Sequence, residues 1–310
     1  MRAPHPGRDY PRTQREFYRD LDTPVACAAW LDRLRWEAGF LCPACGCPDS
    51  WTIAGGRRCR GCRRRIAVLS GTPFHRARLP LPTLLEAAWL LTEPGQVLNS
   101  AIFRRHAPMN HENAWTVLHK YREVMHAQML GLELHGVVEA DEVFIGGRPR
   151  RPGTSKRGRG TTQETVLVLI ERRRGGRVLF KRVPTASAAT LLPPMRAHVR
   201  CPSSIRTDAN SSYGGLRALG YRHTAYNMSA LPRPAHYYLP AVHAVAANAK
   251  RWMLDALRRT PKDKHLDYYL AEFAFRFNQR TARHRGILFY RLMEATLAYG
   301  EVTQRAIVGR

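Results

Sequence analysis

Acid is what this chain of 310 residues lacks most relative to base: 24 Asp and Glu face 50 Lys and Arg, for a formal charge of +26. A surface so short of negative charge favours polyanionic partners, DNA or RNA first, with a basic secreted or ribosome-associated protein as the plainer alternative. Long apolar runs are missing too. No stretch approaches eighteen apolar residues, which excludes a helical membrane span, and no membrane partner is expected. Met1 to Gly7 is polar and proline-rich, without the apolar core of a secretory signal, so a cytoplasmic, nucleoid-associated protein is expected. Cysteine is sparse and odd in number, seven, which argues against a disulfide scaffold and for an intracellular metalloprotein.

Four of those cysteines form two C-x₂-C pairs, Cys42-Pro43-Ala44-Cys45 and Cys59-Arg60-Gly61-Cys62, with thirteen residues between them. That spacing reads as a Zn²⁺ site, structural because four thiolates leave no open position. Cys47 competes with Cys45, which is preferred because the turn between paired ligands normally holds two residues. Trp51-Thr52-Ile53 and the segment Arg63 to Leu69 read as hairpin strands joining the pairs, making a zinc ribbon whose stability comes from the metal.

Four segments are expected: a helical lead over 1–40, the ribbon over 41–75, a helical DNA-binding region over 76–130, and an α/β domain over 131–300. Apolar spacing predicts one helix from Phe17 to Trp36. Pro80 and Pro82 start another, and Ala114 to Tyr121 could be the reading helix of a helix-turn-helix or an ordinary packed helix. From 136 the pattern turns to strands: Val137–Ile145, Glu164–Arg172 and Arg177–Val183, the last two joined at Gly175-Gly176. A helix over 186–199, a strand at 204–207 ending on Asp208, a short strand near 223–227 and a long helix over about 239–258 follow. Three strands, helix, two strands, helix is the order of an RNase H-like fold with a mixed five-stranded sheet. The basic run 148–163 reads either as a linker or as a phosphate-contacting arm.

In that fold the first acid sits mid-strand on the first strand and the second just past the fourth. Asp141 and Asp208 occupy those places. Two Mg²⁺ or Mn²⁺ ions roughly 3.5–4 Å apart can activate a water or a 3′-hydroxyl and stabilise the leaving oxygen in phosphoryl transfer, and such hard ions take carboxylates.

The sequence resembles bacterial insertion-sequence transposases of the zinc-ribbon, DDE-related group. The resemblance rests on the ribbon cysteines, the block Val138 to Gly147, Thr207 to Tyr213, His243 to Trp252, and the run 264–280. It implies a DNA transposase that binds terminal inverted repeats, cuts strands with Mg²⁺ or Mn²⁺, joins 3′ ends to target DNA, and works at least as a dimer. Asp141 and Asp208 are then the metal acids, and Asn248 with Lys250 takes the third position. A transposase-derived binding protein and a structure-specific nuclease of the same fold are the alternatives.

Helical periodicity puts Asn248 and Lys250 on opposite sides of an apolar stripe, so they need not share a metal, and Lys250 is equally suited to a DNA phosphate or to solvent. Asp255 and Glu272 rival Asn248, though Glu272 shares a helix with the packing residues Phe273, Phe275 and Phe277. Strand alternation gives Glu139 the face of Asp141 and makes it an outside candidate for the metal; Glu142 points to the other face, where a basic partner is expected. His223, His243 and His265 read as structural residues.

Overall fold

Thr13 and Thr23 begin the first two helices, their hydroxyls accepting from the backbone N–H of Glu16 and Ala26 at 3.2 Å each. The computed structural model describes residues 3–93, 97–146, 163–257 and 263–309. The chain divides into two units, Met1–Val124 with Ala282–Arg310, and Met125–Thr281.

In the first unit α1 (Gln14–Asp20) and α2 (Pro24–Arg35) replace the single helix expected over 17–36. Pro24 has no N–H to continue a helix and is preorganised for a first turn, so the chain restarts there with Thr23 as its cap. The ribbon follows as β1 (Ser50–Ile53), β2 (Gly56–Cys59) and β3 (Arg65–Ala67), antiparallel in that order. A side chain at Gly56 would run into the Ile66 carbonyl oxygen, which fixes glycine there. Phe40 and Ile66 pack with Cys42 and Cys59 as a minimal core. Arg57 ties the ribbon to α2 through Asp32 at 2.8 Å, and Arg35 donates to the carbonyls of Val68 and Ser70. Helices α3 (Leu81–Leu91), α4 (Ser100–Phe103) and α5 (His111–Leu130) follow, the residues of α5 from Met125 on being counted in the second unit.

The second unit carries β4 (Val137–Gly146), β5 (Gln163–Glu171), β6 (Val178–Val183), α6 (Ala188–His198), β7 (Ser204–Asp208), β8 (Arg222–Tyr226), α7 (Ala235–Tyr238), α8 (Pro240–Leu257) and α9 (Asp263–Asn278). Its sheet runs β6-β5-β4-β7-β8, antiparallel from β4 outward through β5 to β6 and parallel from β4 through β7 to β8. This is the RNase H-like order expected. Alternation along β4 feeds two cores: Val138 and Ala140 pack on the side of α6, Val143 and Ile145 on the side of α8 and α9. The expected basic arm, but for Gln163, lies outside the described residues.

The segment from 282, expected to belong with the catalytic domain to residue 300, belongs instead to the first unit as α10 (Gly286–Ala298) and α11 (Gln304–Val308). The cause is aromatic packing: Phe289 of α10 stacks on Trp30 at 5.1 Å and meets Phe17 edge-on at 5.4 Å, while Phe17 stacks on Trp89 at 4.7 Å.

Candidate active site

Parallel pairing of β4 with β7 runs through Glu139 and Arg206, so Asp141 and Asp208, each two residues further on, come out side by side. Asp208 ends its strand and turns the chain, accepting from the Asn210 N–H at 3.1 Å. The Glu142 N–H donates to Asp141 Oδ1 at 2.9 Å. Burial, then the negative charges of Glu142 and Asp208, push the Asp141 carboxyl up to about 7, with Lys250 pulling the other way. Like charges gathered without enough counter-charge are what a hard divalent cation would relieve, so the donor set fits such an ion.

Helix α8 lies over this point, and a buried acid sets its position. Glu139 Oε2 accepts from the N–H groups of Ala241 and Val242 at 2.8 and 3.0 Å, and its other oxygen meets Arg172 at 3.3 Å. Glu139 therefore holds the first turn of α8 to β4, where exposed N–H groups and the helix dipole favour a carboxylate. With the helix so pinned, His243 faces Asp141, Nε2 to Oδ2 at 3.9 Å, and Lys250, two turns on, shares that side and acts on Asp141 electrostatically. Burial lowers the His243 pKa, His236 adding to the effect.

Asn248 is not brought to the aspartates. It is exposed and lines a cleft of about 370 Å³ with Arg172, Arg173, Phe277 and Arg280. Five residues along a helix from His243 rotate it by about 140°, away from Asp141. Of the rivals, Asp255 is exposed on the same helix, and Glu272 is fully buried and paired with Arg276 at 3.4 Å.

Glu142 does point to the opposite face, but its neighbour there is the Tyr213 hydroxyl, not the basic residue expected. Neither that hydroxyl nor Glu142 Oε1, both buried, has a hydrogen-bond partner among the described residues. His223 bonds Thr207 Oγ1 at 2.9 Å. Sequence reasoning missed both Glu139 as the anchor of α8 and His243 as the neighbour of Asp141. The signal for the second was the seven-residue interval from His243 to Lys250, which puts both on one helical face.

In the ribbon, the sulfur atoms of Cys42, Cys45, Cys59 and Cys62 all lie within 4.8 Å of one another. Cys42 and Cys62 are 3.6 Å apart, Cys45 and Cys59 3.5 Å. These separations approach the edge of about 3.8 Å for a tetrahedron of sulfurs with zinc-length bonds. Cys47 is outside the group.

No helix among the described residues is long and apolar enough to cross a membrane. Residues 133–278 match the ISXO2-like transposase domain. An uncharacterized transposase-like protein of Haemophilus influenzae is 30% identical over 115 residues, 37% of this chain and 92% of that protein. Among solved structures, the Mos1 mariner paired end complex with Mn aligns over 69% of this chain and 75% of its own, at 14% identity and a TM-score of 0.26. A pre-cleavage Mos1 transpososome aligns over 71% and 80%, at 12% identity and a TM-score of 0.25. Likeness at that level carries no argument. The residues matched to the ISXO2-like transposase domain build the five-stranded sheet and hold both aspartates, and with a 30%-identical transposase-like relative covered over 92% of its length the chain belongs to the insertion-sequence transposases.

Proposed function

We propose that this protein is a working DNA transposase that binds the terminal inverted repeats of its element, cleaves DNA strands and joins the 3′ ends to target DNA. The observation that carries this is the adjacency of Asp141, midway along β4, and Asp208, at the end of the parallel β7, with Lys250 acting electrostatically on Asp141. In the first step a water oxygen adds to phosphorus and the P–O3′ bond breaks, leaving a 3′-hydroxyl on the element. That hydroxyl then attacks a target phosphate and displaces a target 3′ oxygen. Bound Mg²⁺ or Mn²⁺ would polarise the phosphate and sharpen the attacking oxygen. Asp141 and Asp208 would hold such ions, and Lys250 would neutralise charge on the scissile phosphate. Asn248, able to offer only a neutral oxygen, would contact a DNA strand from its arginine-rimmed cleft. The four ribbon cysteines would hold one structural Zn²⁺. Arg58, Arg60, Arg63, Arg64 and Arg65 are exposed on the ribbon and suit DNA phosphates. Two element ends call for at least a dimer, and a DNA substrate for a cytoplasmic, nucleoid-associated protein.

One observation favours a second reading, a binding protein without catalysis: the side of α8 that faces Asp141 carries no carboxylate among the described residues. Incubating the protein with Mn²⁺, an oligonucleotide carrying the flanking inverted repeat, and a target plasmid separates the readings. Joined product supports the transposase. Cutting without joining supports a nuclease of the same fold, and repeat-specific binding alone supports the non-catalytic reading.

A further inference from the structure

The row of the sheet that holds the two aspartates continues to Tyr226. Asp208 and Tyr226 are register partners in the parallel pair β7 and β8, and such partners project to the same face. Tyr226 packs there against the core shared with α8 and α9. From it a run of rings leads outward. Tyr238, the last residue of α7, meets Tyr226 with ring centres 5.4 Å apart, and Tyr237 meets Tyr238 edge-on at 5.5 Å. Tyr226 and Tyr238 are half-buried, whereas Tyr237 is 55% exposed. The guanidinium carbon of Arg233, also exposed, lies 4.1 Å from the centre of the Tyr237 ring. The run stays near the acids: His236, beside Tyr237, acts electrostatically on His243, which faces Asp141.

A single exposed ring needs no explanation. This one ends a chain of contacts that starts beside Asp208, and it carries a cation. Nucleobases stack on aromatic rings and on guanidinium planes, and a neighbouring positive charge holds the phosphates of the strand. A base inside a duplex has both faces taken by its neighbours, so only a base turned out of the helix can use such a surface.

We propose that Tyr237 and Arg233 together hold a nucleobase turned out of the DNA duplex a few nucleotides from the scissile phosphate. The inference rests on the reading of Asp141 and Asp208 as the acids that act on DNA, and adds to it a site that does no chemistry itself. Each ring-to-ring step exceeds the rise of ~3.4 Å per nucleotide in a duplex strand. The pair is therefore set back from the reacting phosphorus and acts on a flanking nucleotide. The contact is to the flat face of the base, so it tolerates any base, and the choice of sequence is made elsewhere. Unstacking costs least where a base is already unpaired, so dependence on Tyr237 is greatest on fully paired ends.

The test uses the full chain on an oligonucleotide bearing the flanking inverted repeat, with 5-iodouracil opposite adenine at one position at a time across the outer end of the repeat. Irradiated iodouracil joins to an aromatic ring stacked on it. The expected result is a crosslink at one or two adjacent positions, mapped by mass spectrometry to Tyr237, lost in Tyr237→Leu and kept in Tyr237→Phe. Permanganate should oxidise a thymine at the same position as an unpaired base. Joined product should fall about tenfold in Tyr237→Ala, within the range for one lost base–aromatic stack, and recover when a mismatch opens that base pair in advance. Repeat-specific binding whose crosslinks never reach residues 233–238, or a crosslinked position inert to permanganate, overturns the role of the pair and leaves the transposase reading standing. Joined product that survives Asp141→Asn overturns that reading and this inference with it.

Discussion

Glu139 and Glu171 are both buried acids, on the neighbouring strands β4 and β5, and their surroundings drive them in opposite directions. Burial raises the Glu139 carboxyl despite its bonds to α8. Burial also opposes ionisation of Glu171, but bonds from Arg177 and Arg173 outweigh it and hold the carboxyl at about 2. A carboxyl depressed on folding contributes stability that is full above its unfolded pKa and is lost as pH falls toward the folded one. Glu171 should therefore stabilise the second unit at neutral pH, with that contribution fading from about pH 4.5 down to about 2. Glu171→Ala, which leaves two partly exposed arginines without their carboxylate, is expected to cost about 1–3 kcal/mol in urea unfolding at pH 7; an unchanged midpoint would refute the pairing. Asp141 has the reverse sign. Its raised carboxyl makes the metal-free protein more stable as pH falls from about 7 toward the ordinary aspartate range. Carboxyl carbon resonances in the chelated protein should show Asp141 titrating near 7, and lower in Asp208→Asn but still above an ordinary Asp because burial remains. A wild-type midpoint near 4 would contradict that environment. Asp141 and Asp208 were legible in sequence because strand order alone gives their positions. The role of Glu139 was not, because its partners lie 102 and 103 residues away. Periodicity separates Asn248 from Lys250, but only that long-range anchor decides which of the two faces Asp141.

At the scale of elements, the ribbon was the most legible part, since cysteine spacing fixes both its ligands and its hairpins. Cys45→Ser should lose the zinc measured by elemental analysis, while Cys47→Ser should keep it; the reverse pattern would reassign the ligand. Gly56→Ala should release zinc to a chelator faster, because β2 must then move away from the Ile66 carbonyl. The restart of the chain at Thr23-Pro24 was also written in the sequence, yet apolar periodicity running through it suggests one helix. Local capping and proline chemistry decide such breaks, not the spacing of the apolar residues.

The whole molecule shows what sequence spacing cannot reach. The last 29 residues join the first unit through Phe289, Trp30 and Phe17, a meeting of side chains from opposite ends of the chain. Charge acts at this scale as well. Binding to DNA should weaken steeply with salt, and Arg60→Ala or Arg63→Ala should lower the salt slope by about one each while weakening binding to all sequences alike; a slope unmoved by either would remove the ribbon from the interface. On the proposed mechanism Asp141 and Asp208 act together in strand transfer. Its most direct test is the yield of joined product from repeat-bearing ends and target plasmid with Mn²⁺, comparing wild type with Asp141→Asn and Asp208→Asn at equal end binding. Joining by the wild type and by neither variant is the result predicted; joining that survives either substitution would contradict it.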